Sequence, residues 1–470
     1  METGKLFIGP RLRALRLERG LTQTDFARLL GVSGSLVNLL ERNQRSASLA
    51  VLMRLSDVFG LEMQELTSAN TQVSLQQLRK TLSDPAVGVD DISIDELRSA
   101  MDLAPKVVDG LMALFDSYQV VQERLAGTLE TTEDRSKSLR ASEQRVHEFF
   151  QRKGNYFEEL ETIAQDFRAR HSVSNDHALS LLSNILKAEH GTTVKVVEHE
   201  VMTPSVRRYD ANEQTLYLSD ALDHGNKVFQ LAHWIGLMVY ADQVDDVVRQ
   251  AEFTDQHDAA RARVALCDYF AAALLMPYEP FLDAAKKWAY DFERLAASFS
   301  VSYEQVCQRA TTLQRPSNRG IPFFFLRVDK AGNVSKRFNA SSIQLARYGG
   351  TCPRLDVHYC FRVPGRILTQ RVEMPDGAEF ITINRTVSRP ASRFNQEDRR
   401  QAVSVGCAIQ HAPELVYGAD NTFGLPGTAT EIGVNCRLCP RAMCDQRAHE
   451  SIVRQMPLTE SRRGQNRFEN

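Results

Sequence analysis

The sequence predicts a chain that is mainly α with α+β parts, and three observations carry that prediction. Leucines recur at helical spacing through the first 60 residues and again from 105 to 125. Short β-rich runs bounded by turn signals stand between 190 and 220 and again beyond 320. Near the C-terminus, Cys436, Cys439 and Cys444 crowd into nine residues, a grouping that packing seldom requires. At 470 residues, 43% hydrophobic and 25% charged, the chain has the length for roughly two to four domains. Its expected organisation is a helical bundle at 1–70, a helical connector at 71–145, a central α+β domain at 146–300, and a C-terminal α+β domain with a cysteine metal site at 301–470. A formal net charge of −2 excludes a basic carpet as the route to nucleic acid, so any such contact is local. The apolar runs fall far short of the roughly 20 residues a membrane helix needs, so no membrane partner is expected. Eight cysteines are too few for a disulfide scaffold, and the chain reads as cytoplasmic.

In the first domain, Arg11 to Arg19 place leucines at helical spacing and stop at Gly20, a good terminator. Thr22, Gln23, Thr24 and Asp25 open a second helix carrying Phe26, Leu29 and Leu30, closed by Gly31. After Val32 and the capping candidate Ser33, a third helix carries Leu36, Val37, Leu39 and Leu40, and a later one runs through Leu49 to Phe59. This is helix-turn-helix spacing. Residues 1–54 hold nine Lys/Arg against four acids, a local positive excess suited to a phosphate backbone. Thr22, Gln23, Arg42 and Arg45 are the candidate backbone contacts, while Ser33, Gly34, Ser35 and Asn38 stand where base edges are read. The stretch 11–45, with its arginine-rich helix, Leu-Thr-Gln, Gly-Val-Ser and Glu-Arg-Asn-x-Arg, resembles the Xre/Cro-type helix-turn-helix family. The resemblance implies operator DNA as the partner.

Beyond it, Val107, Leu111, Leu114, Tyr118, Val121 and Leu125 form a heptad-like stripe, read equally as a face packed on its own domain or as a dimer seam. Two-fold operators are the usual answer to the modest affinity of one small DNA-binding unit, so a homodimer or higher homo-oligomer is expected.

The central region reads as a helix at 178–186, strands around 194–197 and 215–218, a helix at 227–240 and another ending in Phe270 to Pro277. That order, with Phe-Gln-Leu-Ala-His at 229–233 and the Leu-Leu-Met-Pro ending, is similar to the zincin-like peptidase domain of the IrrE/ImmA group. Zinc peptidase chemistry needs two histidines at i and i+4, a glutamate beside the first, and a further carboxylate. Only His233 remains, since Trp234 takes the base position, Leu237 takes the second histidine position, and Val264 to Leu266 hold no glutamate. The resemblance therefore implies a retained scaffold without catalysis, its cleft open to a small ligand. A regulatory metallopeptidase is the weaker alternative.

In the last third, 321–328 reads as a buried strand, 329–333 as a turn and 334–338 as the returning strand. Arg327 with Ser335, Lys336 and Arg337 makes a group of donors suited to phosphates. The metal set is read as Cys407 with Cys436, Cys439 and Cys444, with His411 as a substitute ligand and Cys267, Cys307, Cys352 and Cys360 as structural thiols. Four thiolates suit either a structural zinc or an iron–sulfur cluster, and spacing alone does not choose.

Taken together, the helix-turn-helix, the eroded IrrE-like domain, Arg-Val-Asp-x-Ala-Gly-Asn-Val-Ser-Lys-Arg at 327–337, Gly406-Cys407 and the terminal cysteine run resemble the bacterial short-chain fatty acyl-CoA regulator family over nearly the whole chain. The resemblance implies a transcription factor for acetate or propionate assimilation, not an enzyme, with a short-chain acyl-CoA as effector. It also favours an iron–sulfur cluster, of the 4Fe-4S type, over zinc. In that scheme Arg327, Lys336 and Arg337 hold the phosphates, and Tyr156 and Phe157 line the acyl pocket. A redox sensor that binds no acyl-CoA is the competing reading.

Overall fold

The computed structural model describes residues 134–346, 350–389, 399–418 and 429–454, together with parts of 12–128 that include 19–41 and 92–128. The chain divides into two compact units, Met1–Gln122 and Glu123–Asn470. Among the described residues, no helix is long and apolar enough to cross a membrane.

In the first unit, Thr22 caps helix α1 (Gln23–Leu29) by accepting from the Asp25 amide at 3.2 Å. Gly31, at φ +60°, turns the chain where a side chain would be strained. Helix α2 (Gly34–Glu41) follows, with the Ser33 hydroxyl accepting from the Leu36 amide at 3.2 Å. Leu12, Phe26, Leu30, Val37, Leu40, Val51 and Leu55 form the core that fixes the two helices together. Helix α3 (Ile94–Leu103) opens with a Ser93/Glu96 capping box, and Pro105 begins the long helix α4 (Pro105–Thr128). On α4 the predicted stripe is largely exposed: Val107, Leu114, Tyr118 and Val121 face solvent.

The second unit begins with helices α5 (Asp134–Arg152), α6 (Glu158–His171) and α7 (Ala178–His190). A three-stranded sheet follows, in the order β1 (Thr193–Val197), β3 (Thr215–Ser219), β2 (Arg207–Asp210), with β1 parallel and β2 antiparallel to the middle strand. The short α8 (His199–Met202) lies between β1 and β2 in sequence. Helices α9 (His224–Met238), α10 (Ala241–Arg249), α11 (Gln256–Leu275), α12 (Tyr278–Lys287), α13 (Phe292–Phe299) and α14 (Tyr303–Ala310) complete the helical part. Inside it, Arg309 on α14 meets Glu161 on α6 through two charge-assisted bonds of 2.6 and 2.9 Å, and the Tyr269 hydroxyl donates to the same carboxylate at 2.6 Å. The guanidinium is fully buried, which is tolerable only because it is paired and hydrogen-bonded.

The remaining strands build a six-stranded sheet in the order β5 (Val334–Asn339), β4 (Phe324–Val328), β8 (Arg399–Ala408), β7 (Glu379–Arg389), β6 (Leu368–Glu373), β9 (Thr430–Glu431). The predicted 321–338 hairpin is present, with Phe325 opposite Phe338 and Arg327 opposite Lys336. Because side chains alternate along a strand, Phe325, Ile381, Ile383, Val403, Val405 and Cys407 share one sheet face and join the core of the helical part. Phe324, Val372 and Phe380 point to the other face and pack with Cys352 and Ile432. The helical region and the sheet thus share one continuous core across the expected 300/301 boundary.

Candidate functional site

The N-terminal unit presents its helix-turn-helix as a rigid pair. Burial pushes the Glu41 carboxyl up, but bonds from Arg16 (2.6 Å) and Gln23 (2.7 Å) outweigh it and hold the group below the usual carboxylate range. These bonds lock the end of α2 against the start of α1. Gln23, expected on a phosphate, therefore spends its side-chain amide on Glu41. Thr22, Ser33, Gly34, Ser35 and Arg45 are exposed, and Asn38 is half-buried on the flank of α2. Arg42 lies outside the described residues. A Cβ on Gly34 would meet nothing within 4 Å, so the start of α2 offers open backbone.

The cysteine site is assembled differently from the sequence expectation. Cys436, Cys439 and Cys444 line one small open cavity, and the fourth cysteine there is Cys352, with Gly433, Arg441 and Arg447 beside them. Cys407 is elsewhere: strand alternation puts it on the opposite sheet face, across from Ile381, in the helical core. There burial pushes its thiol up to about 12, the state of an inert packing sulfur. His411 is also elsewhere occupied, its Nδ1 lying 2.8 Å from Glu414. Among the described residues, no three His, Cys, Asp or Glu side chains are gathered tightly enough to hold a metal ion without adjustment. The donor set nevertheless suits a thiolate-ligated metal or cluster, since four cysteines face one cavity. Two further observations point the same way. A Cβ on Gly433 would come within 2.7 Å of the Cys439 sulfur, so the loop is shaped closely around that thiol. Arg447, nearly buried, donates to the Cys436 carbonyl at 3.0 Å and to the Cys439 carbonyl at 3.4 Å, bracing the loop with positive charge where thiolates would need it.

At the positions where a zinc peptidase would carry its ligands, Arg207 on the edge strand β2 lies 2.7 Å from Nδ1 of His233. Asp268 on α11 approaches the other ring nitrogen at 3.7 Å, and Lys336 of β5 reaches the same carboxylate at 3.6 Å. Trp234 packs against Tyr209 with centroids 4.6 Å apart and the rings tilted by 39°, and the Arg207 guanidinium lies 5.6 Å from the Trp234 ring. Burial, reinforced by the neighbouring Arg207, lowers the His233 pKa to about 4 against the opposing pull of Asp268. The imidazole is thus a neutral hydrogen-bond hub. Catalytic zinc does not fit here: one imidazole remains, its Nδ1 faces a guanidinium, and the second histidine position holds Leu237.

The donors expected for phosphates are brought to one edge of the six-stranded sheet, each with partners. Arg327 pairs with Glu304 at 2.7 Å and donates to Ser335 at 3.0 Å. Lys336 donates to Gln308 at 3.0 Å besides facing Asp268. Arg337 donates to the Ala346 carbonyl at 2.9 Å and to Gln144 of α5. Phe157, expected to line an acyl pocket, is 1% exposed and ringed by Phe149, Phe150 and Tyr269; it is a core residue without access to a ligand in this conformation. Tyr156 is half-buried and accepts from Arg315 at 2.9 Å, whose guanidinium lies 4.1 Å over Tyr278. Sequence reasoning missed Cys352, Arg207 and Arg315. Only the first left a signal, since Cys352-Pro353 repeats the Cys-Pro step of Cys439-Pro440.

Comparison with known proteins places these features together. Residues 312–468 match the family model described as the C-terminal region of the short-chain fatty acyl coenzyme A regulator, 188–311 an IrrE N-terminal-like domain, and 12–66 a helix-turn-helix. The chain is 36% identical over 465 residues to the HTH-type transcriptional regulator RamB of Mycobacterium tuberculosis, covering 97% of each. It is 36% identical over 461 residues to the propionyl-CoA carboxylase regulator of Cereibacter sphaeroides, covering 98% of each. It is 34% identical to the HTH-type transcriptional regulator PrpR of M. tuberculosis, covering 94% of this chain and 92% of the relative. A solved structure of a Mycobacterium tuberculosis transcriptional regulator superposes with a TM-score of 0.65 at 32% identity, over 69% of this chain and 98% of that one.

Proposed function

This chain belongs to the short-chain fatty acyl-CoA regulator family of helix-turn-helix transcriptional regulators, and from that premise we propose that it binds operator DNA under the control of a short-chain acyl-CoA of the acetyl or propionyl class and so governs genes of short-chain fatty acid assimilation. The observation that carries the reading is similarity along essentially the full length to a propionyl-CoA carboxylase regulator, beside the three family-model matches along this chain. The residues of the cleft support a regulatory rather than a catalytic role, since His233 is sequestered by Arg207.

The effector's phosphates would compete for Arg327, Lys336 and Arg337. Their present partners are Glu304, Gln308 with Asp268, and Gln144 with the Ala346 carbonyl, so an anion bound there exchanges ties between sheet and helices for ties to itself. A ligand shifts an equilibrium only through such differential contacts. The exposed stripe of Val107, Leu114 and Val121 supports a homodimer matched to a two-fold operator. Cys352, Cys436, Cys439 and Cys444 are the residues that would hold an iron–sulfur cluster of the 4Fe-4S type, with structural zinc as the alternative. When bound, the cluster would supply a redox-active centre; the four thiolates would hold it, with Arg447 bracing the Cys436–Cys439 loop.

The deciding experiment titrates the anaerobically purified full chain with propionyl-CoA, acetyl-CoA and free CoA while following its binding to its own upstream DNA. Operator affinity should move with the acyl-CoAs and not with CoA. An affinity that follows oxidation and ignores all three would make redox sensing the function. For the site, Lys336→Gln should weaken propionyl-CoA binding at least tenfold, and unchanged affinity would remove Lys336 from it.

A further inference from the structure

Helix α2 carries an unusual reading surface for a helix that enters the major groove. Val37, Leu40 and Glu41 are buried against the domain. Ser35 and Leu39, four residues apart and so one above the other, point the opposite way. Between Gly34 and Glu41 there is no Arg, Lys or Gln, and Asn38, the one residue there of a type that makes bidentate base contacts, is half-buried on the flank of the helix. Leu39 is 36% exposed although its neighbours Val37 and Leu40 are buried, and among the described residues it is not part of the first unit's core. Gly34 and Ser35 keep the N-terminal turn slim, so the helix can approach base edges closely enough for a leucine to touch them.

We propose that Leu39 is a specificity-determining residue that reads the C5-methyl group of a thymine in each operator half-site, with the Ser35 hydroxyl one turn away on the same face addressing the adjoining base pair. The thymine methyl is the apolar group that base pairs display in the major groove, and it matches an outward-facing leucine as no donor or acceptor would. The assignment rests on the reading of the N-terminal domain as a DNA-binding domain and adds to it the base that is recognised.

The test uses the full chain. A preferred duplex is selected from a random library, and each thymine in it is replaced in turn by deoxyuridine, which deletes only the methyl group. At one thymine per half-site, the replacement should weaken wild-type binding roughly three- to fivefold, the scale of one buried methyl, and should leave the affinity of Leu39→Ala unchanged. Ser35→Ala should keep the deoxyuridine penalty, showing that it belongs to Leu39 and not to the helix at large. An enriched sequence whose every thymine tolerates deoxyuridine, or a penalty equal in wild type and Leu39→Ala, overturns the assignment and leaves the DNA-binding reading intact. A selection that enriches no sequence overturns both. Because Leu39 is exposed, the alanine variant should retain wild-type thermal stability and low-salt non-specific binding; if those fall, Leu39→Gln, which keeps length without the apolar tip, must lose the same thymine preference for the assignment to stand.

Discussion

Serine substitution at two cysteines separates a metal-binding thiol from a packing one. Cys407 is completely buried, opposite Ile381 and beside the Val405/Ile383 pair on the same sheet face. A hydroxyl there loses most of its hydrogen-bonding opportunity, which costs about 1–3 kcal/mol. For a body of this size that is a fall in Tm of roughly 1–4 °C. Metal content should be untouched, because the residue lies on the wrong face of the sheet to reach Cys436, Cys439 and Cys444. Cys352 is nearly buried in the second core, in the cavity with those three, and its serine variant should cost a similar or smaller amount of stability in the metal-free chain. Its iron should fall from roughly four atoms per chain to below about one, with the visible absorption lost. Anaerobic purification, iron, sulfide and zinc analysis, and thermal melts on the same preparations read both effects. If zinc is the resident ion, the same crossed pattern should appear in the zinc column. Loss of metal in Cys407→Ser with retention in Cys352→Ser would refute the reasoning, because strand parity would then have misassigned the fourth ligand.

Three further outcomes follow from the buried polar groups and the sheet. His233 has a folded-state pKa near 4, below its value of about 6.5 in the unfolded chain, so its contribution is intact above about pH 6.5 and is lost as pH falls towards 4. Urea melts should show about 2 kcal/mol less stability at pH 5 than at pH 7 from this group, a loss that His233→Gln should largely abolish; an equal loss in the variant would place the effect elsewhere. Glu161→Gln leaves the fully buried Arg309 without its counter-charge and should cost about 3–5 kcal/mol, whereas Glu279→Gln, at the half-exposed Arg315 pair, should cost under about 1 kcal/mol; comparable losses in denaturant titrations would contradict this ranking. Gly406→Ala would bring a Cβ within 2.3 Å of the Ile381 carbonyl oxygen and 2.6 Å of the Phe324 ring, so the β7–β8 pairing must shift, and limited proteolysis should cut the C-terminal sheet of the variant while sparing it in the wild type.

What was legible in the sequence was local. The helix-turn-helix could be read because its signals, Gly20, Thr22, Gly31 and Ser33 between leucines at helical spacing, act within one or two turns. The 324–339 hairpin was legible for the same reason, a β-rich run closed by Asp329 to Asn333. The fourth cysteine was not, because 84 positions and several strands separate Cys352 from Cys436 in the chain. Parity was available, however: Val403, Val405 and Cys407 alternate with Ser404 and Gly406, which already assigns Cys407 to an apolar sheet face. Leu39 reads as core by hydrophobicity and is displaced from it only by the helical phase of Val37 and Leu40. Arg207 gave no signal at all, since its role depends on β2 lying at the edge of the three-stranded sheet beside α9.

That last residue shows how this IrrE-like domain fills the positions that hold zinc in the peptidases it resembles. His233 is buried and needs hydrogen-bond partners, while the Asp268 carboxylate 3.7 Å from it is 36% exposed and needs only partial compensation. Here two side chains from different strands answer the need: Arg207 from β2 meets the imidazole and Lys336 from β5 meets Asp268. The cleft's electrostatics are thereby satisfied from within the chain, independently of any metal. They also become dependent on where β5 sits, because Lys336 belongs to the C-terminal hairpin and Asp268 to α11 of the IrrE-like domain. Under the proposed function, an anionic effector competing for Lys336 would release Asp268, and the cost of leaving that carboxylate without Lys336 would be transmitted to α11. Helix α11 would in this way serve as the element through which ligand occupancy changes the packing of the domain.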